Sequence, residues 1–257
     1  MYEDYTKSEF EYIYEIIKAE LMYGKSVSRD KKVAYIFGGQ PGVGKSSIHS
    51  GEYFEDYIKI DGDSFRKFHP HLEDFKKTDI DVYASRTQPF INEIVERLIS
   101  DLSDDGYNIV IEGTLRTAET PVKTCNLLKS KGYQTNLLTI TCDAEVSWNA
   151  TLNRADCMKQ LGEVPRLVPI DKYNDTVMSI PQNVDQIYNV KCFDRIIIID
   201  RENNILYNNS GDSPKSVLES SLNLKKWREN YRKHEDDYIK KKSDLLKTEL
   251  KNRDEKY

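Results

Sequence analysis

The chain has 257 residues, 38 % hydrophobic and 32 % charged, with a formal net charge of −5. That length can bury a substantial core, and the acidic balance argues against a nucleic-acid substrate. No apolar run is long enough to cross a bilayer, so no membrane span is expected. The opening stretch MYEDYTKSEFEY is acidic and lacks the apolar segment of a secretory signal. Cys125, Cys142, Cys157 and Cys192 are scattered with no C-x-x-C pair. Reduced thiols and a cytoplasmic setting are therefore expected, rather than a disulfide framework or structural zinc.

Taken in chain order, Phe10, Ile13, Ile17 and Leu21 recur at helical spacing and predict an amphipathic helix over 8–23, capped by Gly24. The apolar run VAYIF (33–37) ends in glycine and reads as a buried strand. Similar runs follow at 57–60, 107–111, 135–141 and 194–200. Segments with helical spacing separate them at 85–102, 120–131, 143–161 and 171–189. Strands alternating with helices predict an α/β fold with a mainly parallel central sheet flanked by helices. DRENNILYNN reads as a hairpin with Asn203 and Asn204 at its turn. Past residue 213 the pattern changes. Residues 224–257 carry 12 Lys/Arg against 8 Asp/Glu and a thin stripe of Leu245, Leu246 and Leu250. This predicts a charged helical C-terminal extension packing one edge on the core, with a partner-binding helix as the alternative. Without repeats or linkers, 1–257 reads as one domain, with 1–32 an N-terminal helical segment and 213–257 the extension.

The stretch Gly39-Gln40-Pro41-Gly42-Val43-Gly44-Lys45-Ser46, followed by Ser47, fits the P-loop pattern between a predicted strand and a predicted helix. The glycines let backbone N–H groups converge on phosphate oxygens where a Cβ would intrude. The following helix offers its positive end. Lys45 supplies a charge for the β- and γ-phosphates, and the Ser46 hydroxyl a ligand for Mg²⁺. The fold is therefore read as a P-loop NTPase fold. No N-K-x-D segment marks a GTPase.

Two further strand ends carry polar groups. In IDGDSFRKFHP, Asp61 and Asp63 flank Gly62. Asp63 either accepts a proton from a substrate hydroxyl or caps the turn that follows. In VIEGTLRT, Glu112, Thr114 and Arg116 share one loop and could grip sugar hydroxyls or a diphosphate. Arg154 and Arg166, after the fourth strand, are candidates to neutralise a moving phosphoryl group from a lid, against an ordinary surface role. His69 and His71, two apart, are a weak metal signal and read as structural.

Together, GGQPGVGKSS, IDGDSFRKFHP and GYNIVIEGTLRT resemble, in order and spacing, the zeta toxin (PezT-like) family of epsilon/zeta toxin–antitoxin systems. The likeness runs from the first helix to about residue 210. It implies an ATP- and Mg²⁺-dependent kinase that phosphorylates the 3′-hydroxyl of the N-acetylglucosamine unit of UDP-N-acetylglucosamine, blocking early cell-wall synthesis. It also implies a small helical antitoxin. Carried over by motif, Lys45 and Ser46 match phosphate and Mg²⁺ positions and Asp63 the base. Glu96, Glu112, Thr114 and Arg116 match substrate positions, and Arg154 and Arg166 the lid arginines. The surroundings of both lid arginines depart from the family pattern: Ala155-Asp156 follows the first, and Pro165 and Leu167 flank the second. Another nucleotide sugar, a nucleotide or an antibiotic as acceptor, and a non-catalytic antitoxin-binding protein, are the alternatives.

Overall fold

The computed structural model describes residues 4–49, 52–76, 80–161, 165 and 167–254. Helix α1 (Lys7–Met22) starts on a capping box, in which the Thr6 side chain accepts from Glu9 N and the Glu9 carboxylate accepts from Thr6 N at 2.8 Å. It buries Phe10, Tyr14 and Ile17. Strand β1 (Val33–Gly38) leads through the glycine loop into the short helix α2 (Lys45–His49). Strand β2 (Ile58–Ile60) is followed by a 3-10 turn (Gly62–Phe68), α3 (Leu72–Lys76) and the long α4 (Ile80–Asp105). Then come β3 (Ile109–Glu112), α5 (Glu119–Ser130), β4 (Gln134–Ile140), α6 (Ala144–Gln160) and α7 (Ile170–Val190). The hairpin β5 (Arg195–Ile199) and β6 (Ile205–Asn208) precedes α8 (Lys215–Leu222) and α9 (Leu224–Asp254).

The sheet order is β2-β3-β1-β4-β5-β6. The first five strands run parallel and β6 pairs antiparallel with β5. Both faces are covered, as a parallel sheet requires. Along β1, Ala34 and Ile36 join the large core under α1, α4 and α7, while Tyr35 and Phe37 join a second cluster with Val43, Phe54 and Ile140. This topology brings the C-terminal ends of β1, β2, β3 and β4 to one edge, where ligands of open α/β sheets bind.

Two departures from the sequence reading have physical causes. Helix α4 begins at Ile80 rather than 85. Its early turns bury a polar residue, Thr87, which bonds the buried Arg66, so the apolar stripe starts late. The C-terminal extension is also held more deeply than a thin leucine stripe suggests. Trp227 of α9 is fully buried and joins the main core with Leu218 and Leu222 of α8. It stacks on His234 (centroids 4.7 Å apart) and packs against Trp148 of α6 and Tyr173 of α7. Among the described residues no helix is long and apolar enough to cross a membrane.

Candidate active site

The glycine loop 39–44 is fastened to the β4–α6 junction from beneath. The Gln40 side chain is buried and donates to the Cys142 carbonyl at 2.8 Å and to Ser147 Oγ at 3.2 Å. Val43 turns into the second core cluster. These two members of the predicted cradle therefore face the scaffold with their side chains and can offer a ligand only backbone. Gly42 adopts φ +79°, and a Cβ there would lie 2.2 Å from the Ser147 carbonyl oxygen and 2.9 Å from Thr151 Cγ2. A residue without a Cβ is needed for α6 to lie flush on the loop. Ser147, Thr151 and Arg154 follow one another on that helix face at i, i+4 and i+7. Arg154 is exposed one turn beyond the contact, on a regular helix rather than in a loop.

Lys45 is buried; its ammonium donates to the carbonyls of Gly39 at 3.0 Å and Gln40 at 3.4 Å. It lies 3.9 Å from Glu112 Oε1. Burial loosens its proton and lowers its pKa; the carboxylates of Glu112, Asp63 and Asp61 oppose that, and the charge of Arg154 adds to it. Two strand ends and α6 thus bring their charged groups to bear on a single ammonium. Ser46 and Ser47 are exposed at the mouth of the loop.

Of the two aspartates after β2, it is Asp61 that caps the turn, its carboxylate accepting from Asp63 N at 3.1 Å. Asp63 keeps its side chain 48 % exposed and accepts from Arg66 Nε at 3.1 Å. Arg66 is itself buried, donating to Thr87 Oγ1 and, at 2.6 Å, to Gln88 Oε1 of α4. A guanidinium locked on three sides fixes the direction of the carboxylate it holds. His69 closes the same turn. Buried and edge-on to Phe90, it accepts from His71 N at 3.2 Å, and burial pushes its pKa down to about 4. Its role is structural, as the sequence suggested.

The 112–116 loop is anchored by a residue with no polar chemistry. Leu115 is buried at φ +56° with its side chain over Gly38, where a Cβ would stand 2.0 Å from Leu115 Cδ1. Asn183 of α7 donates to the Leu115 carbonyl at 2.8 Å, and Gly113 N donates to Phe37 O at 2.9 Å. This left-handed, strained backbone divides the loop. Glu112 lies on the Lys45 side, Thr114 is half-buried and Arg116 is exposed. Glu96 stands apart from this group. It is 76 % exposed on α4, 3.9 Å from Lys123 Nζ of α5. The preceding turn of α4, with Ile91 and Val95, lies against Gly62, so Glu96 is at the outer rim on the β2 side. Arg166 lies outside the described residues.

A glycine-rich cradle at the end of the central strand of such a sheet, with a buried lysine facing carboxylates from adjacent strand ends, defines a P-loop kinase fold. Within that class, the chain belongs to the zeta toxin family, which residues 18–212 match. It is 32 % identical over 229 residues to Toxin zeta of Streptococcus pyogenes, spanning 86 % of this chain and 79 % of that protein. It is 34 % identical over 226 residues to Toxin PezT of Streptococcus pneumoniae serotype 4, spanning 86 % and 89 %. A solved chain of the PezAT chromosomal toxin–antitoxin system of Streptococcus pneumoniae superposes with a TM-score of 0.77 at 30 % identity, covering 96 % of this chain and 99 % of that one.

Proposed function

We propose that this protein is the toxin of a toxin–antitoxin pair and works as an ATP- and Mg²⁺-dependent kinase. Its acceptor is the 3′-hydroxyl of the N-acetylglucosamine unit of UDP-N-acetylglucosamine. The observation that carries the kinase reading is the electrostatic convergence of Glu112, Asp63 and Arg154 on Lys45 at the mouth of the glycine loop. Membership of the zeta toxin family and likeness to a PezAT chain support the toxin role and a small helical antitoxin that silences it.

Each residue has a separate part in the transfer. Lys45 holds the terminal phosphates and, with Arg154, offsets the charge that develops on the moving group. Asp63 accepts a hydrogen bond from the sugar hydroxyl and aims it at the phosphorus. It need not remove the proton early, because the transition state is loose and the proton can leave late. Arg66 suits that role, since it holds the Asp63 carboxylate in a fixed direction. Glu96, Glu112, Thr114 and Arg116 bind the acceptor on the β3 and β2 side. Oxygen donors suit Mg²⁺; the exposed Ser46 hydroxyl, beside a loop faced by Glu112 and Asp61, would hold it, and the ion would neutralise phosphate charge there.

The test is an acceptor panel: ATP and Mg²⁺ with UDP-N-acetylglucosamine, other nucleotide sugars, nucleotides and antibiotics, each product read by mass for one added phosphoryl group. UDP-N-acetylglucosamine is expected to be the preferred acceptor, with Asp63→Asn as the inactive control. Preference for another acceptor refutes the substrate assignment. No turnover on any acceptor, with tight binding to a helical partner retained, favours a non-catalytic binding protein.

A further inference from the structure

The sheet order gives the bound nucleotide a direction. Asp63 and Glu112 lie at the ends of β2 and β3, to one side of the glycine loop. If the γ-phosphate points to that side, the nucleoside must leave the loop on the other side, over β4 and β5. The turn joining β5 to β6 waits there, and its tip is rigid. Asp200 Oδ1 accepts from Glu202 N at 2.9 Å and Asn204 N at 2.8 Å, and Asp200 Oδ2 accepts from Asn204 Nδ2 at 2.8 Å. Asn203 takes the left-handed conformation at φ +67°.

The residue this tip presents is Arg201. Its Nε stands 4.0 Å from the Cβ position at Gly44, the last glycine before Lys45. It is also close enough to Cys142, just beyond β4, to oppose the burial that raises that thiol's pKa. Arg201 therefore overhangs the gap between β1 and β4, on the flank away from the carboxylates. Among the described residues it makes no hydrogen bond or ion pair, and its side chain is exposed. An uncompensated guanidinium beside a phosphate cradle suits an anion.

We infer that the nucleoside end of the nucleotide leaves the cradle beneath the β5–β6 turn and that the Arg201 guanidinium pairs with the α-phosphate. This rests on the nucleotide reading of the glycine loop given above, but not on the identity of the acceptor.

Calorimetric titration of the full chain with ADP and Mg²⁺ tests it, because no acceptor is needed. Arg201→Ala should weaken ADP binding about tenfold or more, the loss expected for a charge-assisted hydrogen bond, and raise the KM for ATP in parallel. Arg201→Lys should keep part of the affinity as a point charge. Arg195→Ala, at the far end of β5, removes the same charge elsewhere and should bind ADP like the parent protein. Thermal melting verifies that the variants are folded. ADP affinity of Arg201→Ala within about twofold of the parent, or an equal loss in Arg195→Ala, overturns the inference. Absence of ADP binding by the parent protein overturns it together with the nucleotide reading. Arg201-dependent ADP binding without phosphorylation of UDP-N-acetylglucosamine upholds it and removes only the acceptor assignment.

Discussion

On one flank of the glycine loop the carboxylates stand at strand ends; on the other, Arg154 rides on a helix. Glu112 closes β3, paired in register with Phe37 of β1, and Asp61 and Asp63 follow β2 after Ile60 pairs with Ile111. Their distance from Lys45 is set by backbone hydrogen bonds. Arg154 depends instead on the pose of α6, which side chains determine. Ser147 bonds the Tyr173 hydroxyl at 2.6 Å, and Trp148 packs on Trp227. Glu145 bonds Lys226, Asn230 and His234 of α9, and Asp156 pairs with Lys241. The carboxylate flank should keep its geometry under perturbations that shift the arginine flank. On this account the basic C-terminal helix fixes the helix that carries Arg154.

The largest effect expected is on the strand-end flank. Asp63→Asn should lower kcat on the order of 10³-fold, the middle of the range for loss of a positioned base, while ADP affinity stays within about twofold. Normal turnover would show that Asp63 is not the acceptor-orienting group. Arg154→Ala should lower kcat on the order of 10²-fold, and Arg154→Lys should recover little, since a point charge does not reproduce the fork. Full activity in Arg154→Lys would mean that the helix flank supplies only bulk charge. Next in size, Trp227→Ala should destabilise the fold by about 3–5 kcal/mol, as deletion of a large buried aromatic does, read by denaturant melting. Assayed well below its melting point, its kcat should fall severalfold while ADP affinity holds. An equal loss in ADP affinity would show that α9 supports the whole cradle rather than the Arg154 side.

The same contrast governs how much could be read from the sequence. Strands β1 to β5 and the helices between them announce themselves as apolar runs and 3–4 spacing, and the glycine loop by its pattern. Asp63 and Glu112 could be singled out as carboxylates at the ends of buried strands, with capping of the turn an equal reading for Asp63. The groups that hold them carry no such signal. Arg66 lies inside the motif IDGDSFRKFHP, yet nothing in its spacing says that Thr87 and Gln88, twenty-odd positions later, will bury it. Leu115 and Gly38 read as ordinary residues until the 2.0 Å approach shows that they fit together. Trp227 was illegible as an anchor because its neighbours Lys225, Lys226, Arg228 and Glu229 give that stretch a solvated look. Asp61 and Asp63 are chemically identical and two residues apart, so only coordinates could assign the cap to one of them.

The smallest effect expected separates the flanks by pH. On the carboxylate side, burial holds His69 at about 4, below its ordinary 6.5. Protons therefore favour the unfolded chain, and the contribution of neutral His69 is complete above pH 6.5 and is lost as pH falls towards 4. On the arginine side, burial would raise the pKa of Glu145, but Lys226, Asn230 and His234 outweigh it and take it down from 4.5 to about 2. Its contribution is complete above pH 4.5 and is lost as pH falls towards 2. With Lys226 exposed and screened, that contribution is small. Glu145→Gln keeps the size and removes the charge. Urea midpoints measured from pH 7 to pH 3 should show this variant less stable than the parent at neutral pH and converging on it below pH 4.5. Its slope between pH 6.5 and 4.5 should be unchanged, because His69 governs that window. Parallel curves over the whole range would mean that the Glu145 network contributes packing rather than charge, leaving Trp227 and the Asp156–Lys241 pair to hold α6.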